Sequence, residues 1–73
     1  MEALSREELE GLAALYDRFA HALDPFDPER DEAEAQFHRR LTALHEALAP
    51  ATEMREFRRE AIRACKAFLR KNP

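Results

Sequence analysis

Apolar residues recur along this chain with the period of an α-helix, in three blocks separated by prolines. Leu9, Leu12, Tyr16, Phe19 and Leu23 follow one another at spacings of 3, 4, 3 and 4, which places them on one helical face. Ser5 precedes the block as a cap, and Glu8 completes a capping box. Leu4 and Leu9 are placed as a hydrophobic staple across that cap. Asp24-Pro25 stops the block, because a residue before proline avoids the α region. The first helix is therefore predicted over about residues 6–23.

Asp27-Pro28 restarts the chain as a cap followed by proline at the first helical position. Ala33, Phe37, Leu41, Leu44 and Leu48 form the second stripe, which Ala49-Pro50 ends, giving a helix over about residues 28–48. Thr52 is read as the cap of a third helix with Glu53 in its first turn. Met54, Phe57, Ala61, Cys65 and Phe68 share one side, widened by Ile62 and Leu69. Arg70 and Lys71 suit the negative end of the dipole, and Asn72-Pro73 closes a helix over about residues 53–70.

Composition reinforces this pattern. The chain has no valine, one isoleucine (Ile62), two threonines (Thr42, Thr52) and one glycine (Gly11). Residues whose stiff side chains favour strands are nearly absent, while good helix formers dominate. The 73 residues make one domain, residues 1–73, near the lower size limit for unaided folding. Short connections between helices of similar length imply antiparallel neighbours. The expected fold is all-α, a small antiparallel three-helix bundle running up, down and up.

Met1-Glu2-Ala3-Leu4 lacks the apolar run of a secretory leader, and no stretch is long enough to span a membrane. Lys71-Asn72-Pro73 carries no prenylation signal. Cys65 is the only cysteine, so no disulfide closes within the chain, and a lone thiol fits a reducing cytoplasm. Its place in the apolar stripe, late in a helix, is that of an inert core residue rather than a nucleophile.

Three histidines are the remaining candidates for chemistry. His38 and His45 share a side of the second helix with Glu34, and Asp17 lies one turn before His21. A Glu34, His38 and His45 cluster would need a further ligand from another helix or subunit to hold a metal. Neither the Glu-x-x-His pairs of di-metal bundles nor a His-Glu-x-x-His motif occurs. Histidines at the border of the stripe, tips in solvent, are expected instead. No catalytic residue, cofactor or metal site is expected, because three short helices enclose a core and little more.

Charge changes the picture more. Residues 1–24 hold six acids and two bases, and residues 25–50 six acids and three bases. Residues 51–73 hold three acids and seven bases, within a net charge of −3. Arg55, Arg59 and Arg63 recur every fourth residue, and Lys66 and Arg70 continue that side. Like charges at this spacing cost a few tenths of a kcal/mol per pair, so the row invites a partner. Arg70 and Lys66 are expected to approach Asp31 or Glu34 within the bundle. Beyond that, an acidic protein surface is favoured over nucleic acid, whose phosphates two acidic helices would repel. The expected function is protein–protein interaction of the adaptor or regulatory kind through this row. Nucleic-acid binding by the same face is the alternative.

Leu15 and Ala22 widen the apolar arc of the first helix beyond what one core contact needs. Leu15, Phe19 and Ala22 are therefore expected to form an uncovered patch through which the chain self-associates as a homodimer. Phe26, between two prolines, either joins that patch or covers the end of the bundle.

Overall fold

The computed structural model describes residues 4–71. It is an all-α bundle of three helices: α1 (Arg6–Ala20), α2 (Pro28–Leu48) and α3 (Met54–Lys71). No strand occurs among the described residues, and none of their helices is long and apolar enough to cross a membrane. The readings made on Met1, Glu2, Ala3, Asn72 and Pro73 lie outside the described residues.

Local chemistry starts each helix. The Ser5 hydroxyl accepts from the Glu8 N–H at 3.1 Å, and the Glu8 carboxylate accepts from the Ser5 N–H at 3.0 Å. The bond from the Ser5 backbone holds the Glu8 carboxyl below its usual range. Asp27 accepts from the Glu29 N–H at 2.9 Å, with Pro28 opening α2. In α3 the first helical bond runs from the Phe57 N–H to the Glu53 carbonyl at 3.0 Å. That puts Glu53, not Thr52, at the cap position. The Thr52 carbonyl is engaged elsewhere, accepting from or facing the His45 ring at Nε2.

Cross-contacts fix the topology. In the last turn of α1, Arg18 pairs with Glu29 in the first turn of α2 at 2.8 Å, so the two helices run antiparallel. Tyr16 and Phe19 meet Phe37 with ring centroids 6.0 and 5.2 Å apart. Beyond the second connection, His45 near the end of α2 lies 5.3 Å from the Phe57 ring at the start of α3. Leu12, Ala13, Phe37, Leu41, Ala49, Phe57, Ala61 and Cys65 form the buried core. Each fully buried leucine or phenylalanine contributes about 1.5–3 kcal/mol. Helix α1 packs closely on both others, whereas α2 and α3 touch each other least. Gly11 lets the Arg40 side chain of α2 lie across α1, where a Cβ would collide with the guanidinium.

The first helix ends three residues before its apolar spacing suggests. His21 is its C-cap, with its N–H on the Asp17 carbonyl at 3.2 Å. Reversal toward Pro28 requires non-helical backbone, and Asp24 closes a local turn by accepting from the Phe26 N–H at 2.9 Å. Leu23 therefore leaves the stripe and is fully exposed.

Candidate functional site

The outer side of α3 brings the sequence-predicted basic row together. Arg55, Arg59, Arg63, Lys66 and Arg70 are all exposed, on the side away from Phe57, Ala61 and Cys65. Arg63 reaches Glu60 one turn back at 3.4 Å, with both side chains well solvated. The other four members form no ion pair among the described residues. The expected pairing of Arg70 or Lys66 with Asp31 or Glu34 is not formed. Its physical reason is that α2 and α3 are the most loosely packed pair in the bundle.

Acids of α1 and α2 behave differently. Arg6–Glu10 at 3.2 Å, Arg18–Glu29 at 2.8 Å and Arg39–Glu32 at 3.6 Å pair bases of those helices with acids of the same two helices. The Glu29 hydrogen bond and charge raise the Arg18 guanidinium above its usual value. Helix α3 is left with its surplus.

Arg55, Arg58, Arg59, Arg63 and Lys66 surround a shallow, open depression whose apolar member is Ile62. Ile62 is half-buried and packs on the core beneath. The row read at every fourth residue missed Arg58. It lies three residues after Arg55 and four before Ile62, so a full helical wheel would have found it. Chemically the site is a cluster of guanidinium groups, which bind carboxylates and phosphates through paired N–H donors. Ile62 adds a small apolar floor.

The other candidate residues are placed apart. Glu34, His38 and His45 are not gathered into a metal-holding group, and no such group of three occurs among the described residues. His38 is exposed, its ring 5.8 Å from that of Phe37. His21 bonds Asp17 at 2.7 Å in solvent. His45 is half-buried and joins α2 to the next connection through Thr52. Cys65 is fully buried, and burial pushes its thiol up to about 11.

Leu15 and Phe19 are half-buried against the core, and Phe19 meets both Tyr16 and Phe37 edge-on. Ala22 is half-buried just beyond α1. Leu15 is thus not the uncovered residue that its position on the wheel suggested. The large apolar side chains in solvent are Leu23 (100% exposed) and Phe26 (87%), both in the connection between α1 and α2. No family model matches the chain, and neither a curated protein nor a solved structure matches it.

Proposed function

We propose that this chain is a small interaction module of the adaptor or regulatory kind, which holds an acidic protein surface on the outer face of α3. The observation that carries this reading is the uncompensated ridge: six neighbouring bases, Arg58 included, of which only Arg63 has an acidic partner among the described residues. A solvated row that repels itself is mildly unfavourable in the free chain. A carboxylate-rich partner removes that repulsion and gains paired guanidinium bonds. Ile62 between the bases favours a peptide that also offers an apolar side chain. The acidic first and second helices favour a protein partner over a polyphosphate, because their field opposes a long nucleic-acid backbone. The single buried cysteine supports work in a reducing compartment such as the cytoplasm.

Titration of the protein against a fluorescent acidic peptide containing leucine and phenylalanine, and against a DNA duplex, tests the proposal. The peptide should bind, and Arg59→Glu with Arg63→Glu should abolish binding while leaving the helical signal unchanged. Absence of peptide binding sinks the reading. A submillimolar duplex complex that weakens steeply between about 50 and 200 mM salt replaces it with nucleic-acid recognition.

A further inference from the structure

The connection between α1 and α2 holds two large apolar side chains in water on a braced frame. Leu23 and Phe26 are almost wholly exposed, although the loop around them is well tied. Asp24 accepts from the Phe26 N–H at 2.9 Å, and the Asp27 N–H donates to the Asp24 carbonyl at 3.2 Å. The Arg30 guanidinium donates to the Pro25 carbonyl at 3.0 Å. Pro25 and Pro28 restrict the backbone further. A loop shaped in advance loses little freedom when it docks. Its chemistry is an aromatic and a leucine flanked by Asp24 and Asp27, with Arg30 turned to the backbone.

The depression on α3 has the complementary chemistry: Ile62 as floor, with Arg55, Arg58, Arg59, Arg63 and Lys66 around it. Guanidinium groups attract both carboxylates and the face of an aromatic ring. Within one chain the two features do not meet, since Leu23 touches nothing that shields it. In the up-down-up order the loop lies at the end where α3 finishes, whereas the depression begins in the first turn of α3. We infer that the α1–α2 loop of one copy docks on the outer face of α3 in a second copy, with Phe26 over Ile62 and Asp24 and Asp27 among the arginines. Exchange of the same contact in both directions closes a two-fold dimer. This inference rests on the reading of the ridge as an acceptor of acidic protein surface and names its occupant.

Two crippled variants test it by complementation. Leu23→Ser with Phe26→Ser removes the knob but keeps the ridge, and Arg59→Glu with Arg63→Glu removes the ridge but keeps the knob. All four positions are exposed, so folding should survive. Arg59→Gln with Arg63→Gln replaces the charge reversal if circular dichroism shows helix loss. Sedimentation equilibrium at several hundred micromolar should give wild type at twice the chain mass of 8.5 kDa and each variant alone at the monomer mass. Their mixture should recover a one-to-one complex, weaker than wild type because one of the two contacts is rebuilt. A monomeric wild type, association that survives loss of the knob, or a mixture that stays monomeric each overturns the inference. A monomeric wild type that still binds the acidic peptide removes the second copy as occupant and leaves the function of the ridge standing.

Discussion

On its inner side α3 buries Phe57, Ala61 and Cys65 almost completely, whereas on its outer side Arg55, Arg59, Arg63, Lys66 and Arg70 stand in solvent. The inner side is satisfied by the chain itself: Phe57 lies under the His45 ring, and the core closes around the Cys65 thiol. The outer side repels itself and makes one ion pair among the described residues, Arg63 with Glu60. Both sides belong to one eighteen-residue helix, so propensity and length cannot explain the difference. What differs is whether a partner is present within the chain. Substitutions on the two sides should therefore differ in sign as well as size.

The largest effect belongs to the inner side. Phe57→Ala should cost roughly 3–5 kcal/mol through lost burial and the cavity left behind. A domain of this size holds on the order of 5 kcal/mol in all, so the variant should be largely unfolded at 37 °C by circular dichroism. Phe26→Ala, an equally large truncation on a loop in solvent, should move stability by less than about 0.5 kcal/mol. Similar melting of the two variants would mean that the core is not where Phe57 lies.

Alkali should reach the inner side next. Burial raises the Cys65 thiol from its ordinary 9.0 to about 11. Between those values the unfolded chain loses the proton while the folded chain keeps it, so the unfolded state binds fewer protons. Stability then falls as pH rises through that window, by about 1.4 kcal/mol per unit at most. Below the window the thiol contributes no pH dependence. Denaturant melts of wild type and Cys65→Ala across this range should diverge in slope. Parallel curves would place the thiol in solvent, as would rapid labelling by a thiol reagent at neutral pH.

Ser5→Ala lies on neither side of α3 and sets an intermediate scale. Loss of the hydroxyl and half of the capping box should cost about 0.5–2 kcal/mol. An unchanged melting temperature would show that α1 starts without this cap.

The three helices, the capping box and most of the core were legible in the sequence because they depend on local rules: period, caps and proline breaks. The errors share another origin. Leu23 continues the apolar spacing of α1, yet the chain must turn back within a few residues, and the turn takes precedence over the period. Thr52 resembles a cap, but the connection closes with the His45 ring at its carbonyl, which no short-range pattern announces. Leu15 is half-buried because α1 packs on both neighbours, and the pairing of Arg70 or Lys66 with α2 fails because α2 and α3 pack loosely. Both outcomes depend on how tightly each pair of helices approaches, which a stripe of apolar residues does not encode. The basic row itself was legible, since its members share a side by spacing alone. Its lack of partners on α1 and α2 among the described residues became visible only with the neighbouring helices in place.

The smallest expected effect bears most directly on that lack of partners. Arg59 sits four residues from both Arg55 and Arg63, so it takes part in two like-charge contacts. Each contact costs a few tenths of a kcal/mol in an isolated helix. Glutamine has nearly the same helix propensity as arginine, so Arg59→Gln changes charge with little else. The substitution should therefore stabilise the monomer slightly, by about 0.4–1 kcal/mol from the two contacts together. The gain should shrink as salt is raised, because these exposed charges are screened. Equilibrium urea melts at low and high salt, on samples dilute enough to be monomeric, would resolve it. The outcome separates two physical roles for the row. If Arg59 balances acids elsewhere in the bundle, its loss destabilises, most at low salt, and the ridge belongs to the fold. If its loss stabilises, the fold carries the row at a cost, and the row must be explained by something outside the monomer. Applied to Arg63, the same substitution should gain less, since Arg63 gives up its contact with Glu60 as well as a repulsion.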